Sequence, residues 1–383
     1  MFRRIPFNKV NWTTSAFLIG TLFLSLTAVP LYIWKYGMDW WFQLPLFFFM
    51  FCACGFSITL GYHRLFSHLS FQAHWVVRLL TLLFGAGAFE NSALLWCCEH
   101  RTHHKHVDHD EDPYDISKGL FHAHIGWLLF KLKPSPPFDN VPDLQRDPLV
   151  MWQHRYIHWI GFTVAFGFPA ALGYLRNGWQ CALGSLLFAG VARVVFLQHC
   201  TFCINSLCHY IGRRPYSTRN SARDSWIMAV FTFGEGYHNY HHEFQHDYRN
   251  GVKPWQFDPT KWTIWLLEKV GLVHGLRTVP EEKIIKAEVR EHERQLEAKL
   301  QATPVADSFH AMVESARAQM NEALLSWEEL LVEYRAVVAG QKEVSRREMA
   351  ELQKQVQEAA GEFRKSLRAW LDTWQVLPTP QAA

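Results

Sequence analysis

Four stretches of the chain lack the polar punctuation of a soluble domain. Trp12–Trp34 (23 residues), Trp40–Gly61 (22) and Tyr156–Leu175 (20) contain no Asp, Glu, Lys or Arg, and Gly178–Gln198 (21) contains one, Arg193. Each exceeds the ~18 apolar residues that suggest a membrane-crossing helix. The first is too long for the apolar core of a signal peptide and has no small-residue cleavage site. A fifth apolar run, Leu79–Phe89, has 11 residues, holds Gly85 and Gly87, and is bounded by Arg78 and Glu90. That length suits a re-entrant or interfacial segment, not a crossing.

Parity then sets the topology. Four crossings in two hairpins put residues 1–11, 62–155 and 199–383 on one side, joined by tiny loops around Lys35–Asp39 and Arg176–Asn177. Arg3, Arg4, Lys9, Arg64, Lys131, Lys133, Arg213 and Arg214 fall on the shared side. The positive-inside rule makes that side, with both termini, cytoplasmic. The expected fold is all-α: four membrane helices under a cytosolic helical cap.

The pattern changes after Pro280. Glu281–Gln301 interleaves acidic and basic residues, Thr303-Pro304 interrupts it, and 308–374 carries apolar residues at steps of three and four. These include Leu324, Trp327, Leu331, Val356, Phe363, Leu367, Trp370 and Trp374. Such spacing predicts an amphipathic or coiled-coil helix. It can pair with a second chain, fold back around Gly340, or lie on a membrane. The expected domains are therefore 1–280 and 281–383.

Composition adds two points. Net charge is +3, too small to argue for nucleic acid. The 8 Cys lie in or beside apolar runs without extracellular spacing and read as reduced thiols.

Histidine carries the chemistry. Of 21, ten fall between His63 and His124. His63-Arg-Leu-Phe-Ser-His68 follows the second apolar run, His100-Arg-Thr-His103-His104 follows the re-entrant segment, Asn205-Ser-Leu-Cys-His209 follows the fourth run, and His238-Asn-Tyr-His241-His242 comes next. Residues three and four apart share a helix face, so each HxxHH triplet converges, as do Asn205 and His209. His63 and His68, five apart, stand about 140° around an α-helix and need a helix end or bend to meet. Imidazole is the commonest metal ligand at neutral pH. Nine His and one Asn, all on one membrane side, fit two metals with four or five protein ligands each.

These boxes resemble the membrane fatty-acid desaturase family, in particular its acyl-CoA Δ9 (stearoyl-CoA type) branch. The resemblance covers roughly residues 10–280 and extends to Gly61–His68, Asp112-Pro113, Gly126–Leu129, Asn205-Ser206, Gly234–His242 and His246–Gly251. It implies a non-haem diiron centre that uses two electrons and O2 to convert adjacent methylenes to a cis double bond and water. An unactivated C–H bond has no acidic proton, so a redox metal must carry that step. The implied ligands are His63, His68, His100, His103, His104, His209, His238, His241 and His242, with Asn205 acting at one metal through water. Zinc would occupy the same ligands without activity.

By the same resemblance, Trp96 and Thr201 line a kinked acyl tunnel, and Phe51 and Gly55 sit where its far end closes. Lys131 and Lys133 resemble a basic stretch that contacts CoA. Two departures stand out: Cys98-Glu99 replaces the Arg-Asp of animal acyl-CoA desaturases, and Glu90 replaces a Gln. An extra acid and a lost Arg weaken the case for a phosphate-rich headgroup, so acyl-CoA, acyl-carrier protein and acyl lipid are all substrates to consider. No His-Pro-Gly-Gly haem motif follows residue 280, so a separate electron donor is expected: ferredoxin, or cytochrome b5 with its reductase. The competing readings are a related diiron hydroxylase and a non-enzymatic membrane metalloprotein whose tail recruits partners.

Overall fold

The computed structural model describes residues 7–132, 134, 136–302 and 307–373. Lys133, Thr303-Pro304 and Trp374 lie outside them. Among the described residues, three helical runs are long and apolar enough to cross a membrane: Trp12–Tyr36, Trp40–Ser67 and Pro148–His209. The third has 62 residues but is not straight. It breaks at Asn177 (φ −159°) and Gly178 (φ 65°), a backbone turn that Gly makes without steric cost. Beyond the break the chain folds back, bringing Gly173 against Cys181 and Ala182, and Gly190 against Ala165. The two segments read as the third and fourth crossings are its two arms. The turns of both hairpins meet, with Arg176 Nε 3.2 Å from Asp39 Oδ2 and Tyr32 donating to the Gln180 carbonyl. The protein is an all-α integral membrane protein; the strands among the described residues are one antiparallel pair, Gln72–Ala73 with Val273–His274.

The short apolar run forms the helix Trp75–Ala86, 12 residues long. It ends among the longer helices, where Gly87 approaches Val164 and Cys54, and Phe89 stacks on Phe17 with ring centroids 4.7 Å apart. A helix that stops in apolar surroundings leaves carbonyls without partners. Arg193 supplies one donor, to the Gly87 carbonyl at 2.8 Å, and Gln198 another, to the Phe89 carbonyl at 3.0 Å. This explains the one charge in an otherwise uncharged arm. The chain then returns into the helix Ala93–His106, capped by the Ser92 hydroxyl, which accepts from Leu95 N–H.

Met1–Pro280 and Glu281–Ala383 form two compact units. In the second, the helices Asp307–Val338 and Arg346–Thr373 are joined by a turn with Gly340 at φ 70°. Folding back at Gly340 is the outcome among the three the sequence left open. The helix Glu281–Ala302 adds Ile285, Val289 and Leu296 to the same core, which buries Met320, Trp327, Phe363 and Trp370. Leu324, Leu331, Val356 and Leu367 also pack there, so the apolar stripe is consumed inside this unit.

Candidate metal centre

The second long helix changes pitch as it leaves the apolar region. Ser57–Ser67 is π-helical, and the His68 N–H bonds to the His63 carbonyl, five residues back, at 3.0 Å. In an i→i+5 helix, residues five apart stack on one face. The bend anticipated between His63 and His68 is therefore a change of helix type, and it brings their rings to 4.7 Å. His100, His103 and His104 lie on the last turns of Ala93–His106, and His238, His241 and His242 on the short helix His238–Glu243. His209 follows the end of the helix Arg193–Ser206.

Nine imidazoles converge in two groups. His63, His68, His100, His104 and His241 form one, and His103, His209, His238 and His242 the other; ligand atoms within each lie within 4.8 Å of one another. Their Nε2 atoms face inward: His68 to His100 at 2.9 Å, His241 to both His63 and His104 at 3.0 Å, His238 to both His209 and His242 at 3.0 Å. Burial, then repulsion from neighbouring imidazoles, holds His68, His100, His104, His238, His241 and His242 well below the usual histidine range. They are neutral at pH 7, the form that binds metal.

The outward nitrogens fix where the single proton of several rings sits. His63 Nδ1 lies 2.8 Å from Glu235 Oε2, a contact bent away from ideal hydrogen-bond geometry. His103 Nδ1 lies 2.8 Å from Asp112 Oδ1. His209 Nδ1 meets Ser221 Oγ at 2.7 Å, and Ser221 gives its own proton to Asp108. Each partner calls for Nδ1–H, leaving Nε2 as a bare lone pair. His103 Nε2 then faces His242 Nε2 at 3.3 Å, and His209 Nε2 faces His238 Nε2 at 3.0 Å. Converging lone pairs on buried neutral rings repel without a cation between them, so the donor set fits metal.

A second layer holds the first. Arg64, 1% exposed, donates to Glu235 Oε1 at 2.8 Å and to Asp258 at 3.0 and 3.1 Å. Burial pushes the Glu235 carboxyl up, but Arg64 and His63 hold it below its usual value. Asp112 accepts from the Tyr114 and Asp108 N–H groups. Burial raises its pKa too, and His103 with these donors outweighs it. The sequence reading assigned no role to Glu235, Asp108 or Asp112. The available signal was an acid three residues before His238 and another nine after His103.

A cavity of about 1230 Å³ opens on the five-His group, lined by His63 and His100. Glu90, Trp96, Lys131, Thr201 and Asn205 also line it. Trp96 stacks on His100 with centroids 4.6 Å apart. Glu99 borders the same space, and burial pushes its carboxyl up to about 7. Phe51 and Gly55 are not in the lining. They pack on Phe233, whose ring centroid is 5.1 Å from that of Phe51 and whose Cε2 would lie 2.4 Å from a Cβ built at Gly55.

Imidazoles turned on two common points beside membrane helices define an integral-membrane protein with a metal site. The chain matches the fatty acid desaturase family over residues 6–266 and belongs to it. It is 40% identical over 308 residues to acyl-CoA desaturase 1 of Saccharomyces cerevisiae, covering 77% of this chain and 59% of that protein. It is 42% identical over 244 residues to a probable acyl-CoA desaturase of Schizosaccharomyces pombe (63% and 50%). To the sn-1 stearoyl-lipid 9-desaturase of Anabaena variabilis it is 34% identical over 273 residues (70% and 94%). The chain thus spans between half and three-fifths of the length of the two yeast proteins.

Proposed function

We propose that the chain is an O2-dependent desaturase that inserts a cis double bond, at Δ9, into a saturated fatty acyl thioester, acyl-CoA in the first instance. The observation that carries this reading is that one large cavity reaches a buried, all-nitrogen metal site through His63 and His100. Its volume exceeds the ~300–1,000 Å³ of a pocket for a compact small molecule. The names of the two yeast relatives supply the carrier.

Two iron ions would supply the redox chemistry for which no side chain is equipped. The five-His group would hold one and the four-His group the other, with Asn205 acting on the second through water. Glu235, Asp112 and Ser221 keep the Nδ1 protons of their histidines in place, so that the inward lone pairs stay available. Trp96 and Thr201 form the wall that sets the reacting methylenes against the metal, and the apolar lining excludes water from them. Lys131, in the cavity lining, meets carrier phosphates, a role proposed for Lys133 on its place in the sequence alone. Phe51, Gly55 and Phe233 close the far end and set chain length. In this reading the long helices make four crossings, and the histidine end, with the segments before the first and after the fourth crossing, faces the cytoplasm. Electrons come from a ferredoxin or from cytochrome b5 with its reductase.

Gas chromatography–mass spectrometry of a host lacking its own Δ9 desaturase tests the reading. Expression yields a new monoene, absent with His103→Ala although that variant still inserts into membranes. No new monoene from iron-loaded protein supplied with several electron donors would refute it.

A further inference from the structure

Glu90 occupies an unusual place in the cavity wall. It is 8% exposed, and neither carboxyl oxygen has a hydrogen-bond partner in good geometry. The backbone is held left-handed on both sides of it, at Phe89 (φ 57°) and Asn91 (φ 70°). Non-glycine residues seldom adopt that conformation, and it persists where surrounding structure enforces it. Here Gln198 holds the Phe89 carbonyl and Tyr62 reaches the Asn91 carbonyl. Glu90 lies in the lining of the cavity, to which Phe89, Leu95, Trp96 and Thr201 also belong.

Among the described residues, no cation contributes to its titration. The titratable groups that sense Glu90 from the packed elements are Cys54, Tyr62, Tyr114 and Cys200, all neutral when protonated. Arg193, in the neighbouring arm, is turned to the Gly87 and Ala189 carbonyls. Burial pushes the Glu90 carboxyl up to about 8, and the Thr201 hydroxyl and Trp96 indole N–H only partly oppose the rise.

We infer that Glu90 works as a neutral carboxylic acid in the wall of the acyl cavity, a specificity-determining residue that admits an uncharged alkyl chain only while it keeps its proton. This rests on the reading of the cavity as an acyl site. A chain seated against it removes the remaining water and raises its affinity for the proton, so chain binding and protonation are linked. Affinity then falls by up to about tenfold per pH unit once the free protein loses that proton.

The test uses the full-length, iron-loaded protein in nanodiscs and a non-hydrolysable stearoyl thioether of CoA. Its Kd is measured from pH 7 to 10, above the range where the histidines titrate, for wild type and Glu90→Gln. Difference infrared spectra of the two proteins at pH 7 read the protonated carboxyl directly. Expected are an affinity that declines with pH in wild type, a shallower profile in Glu90→Gln that carries only the cavity's other raised carboxyl, Glu99, and a carboxylic-acid C=O band that wild type shows in excess of the variant. The same slope in both proteins, a flat wild-type profile, or no such band overturns the inference while leaving the acyl site standing. Absence of binding at every pH refutes the acyl site itself, and the inference with it.

Discussion

Glu235 and Glu90 line one cavity, yet at neutral pH the first is ionised and the second is neutral. Both are nearly sealed from solvent, at 2% and 8% exposure. Glu235 is ionised because Arg64 lies against one oxygen and His63 against the other. Glu90 meets only an indole N–H and a hydroxyl, so burial decides and the proton stays. The difference divides the cavity by task. The metal end is built from compensated charge, which orients ligands; in the acyl reading proposed above, Glu90 is a neutral group that an alkyl chain can touch without stranding a charge.

The comparison breaks hardest at Arg64. Arg64→Met leaves Glu235 and Asp258 buried without their cation, and removing one partner of such a pair costs about 3–5 kcal/mol. Thermal unfolding of the purified variant should show a large loss of stability, and wild-type stability would dismiss the compensated-charge account. A milder change is Glu235→Gln. It keeps the shape but weakens the hold on the His63 Nδ1 proton, so metal affinity should fall by roughly 10–100-fold, measured by metal competition. Equal retention of iron would separate Glu235 from the metal site.

The smallest effect belongs to Glu90. Its pKa rises from 4.5 unfolded to about 8 folded, so over that window the folded state holds a proton that the unfolded chain releases. Its contribution is complete below about pH 4.5 and is lost as pH rises through about 8. Glu90→Gln should therefore gain on wild type as pH increases, by a Tm difference on the order of a few degrees that is greater at pH 9 than at pH 6. A pH-independent difference would mean that Glu90 does not titrate in this range.

Much of this arrangement is legible in the sequence, for physical reasons that differ by element. Uncharged runs of twenty or more residues have one stable environment, so the membrane helices are readable. HxxHH reads in part: helical spacing turns all six histidines toward the site, but each triplet divides between the two groups, His103 apart from His100 and His104, and His241 apart from His238 and His242. His63 and His68 are harder, since their meeting depends on a π-helical stretch that no residue in Ser57–Ser67 announces. The hairpin in the third run is marked by Arg176–Gly178. There the two arms abut with only Asn177 and Gly178 out of helical conformation, so no long loop separates them. The residues behind the ligands are hidden for another reason: Arg64, Glu235 and Asp258 are far apart in sequence and meet only when the cap closes. In the C-terminal unit the apolar steps identify helices but not their partners, because folding at Gly340 and pairing with another chain use the same stripe.

The π-helical stretch also makes the spacing between the first two histidines a counted quantity. In an α-helix, losing or gaining one residue rotates everything beyond it by about 100°. Here the wide pitch is what lets a five-residue interval close on a single point, with His68 N–H bonded back to the His63 carbonyl. An insertion between Arg64 and Ser67 would leave both histidines in the chain and both helices apolar enough to insert. It would set them six apart, an interval that neither the ordinary pitch nor the wide one brings to one face. Composition and hydropathy would barely change, yet the five-His group would lose its shared centre, so function in this segment is written in the count of residues as much as in their identity.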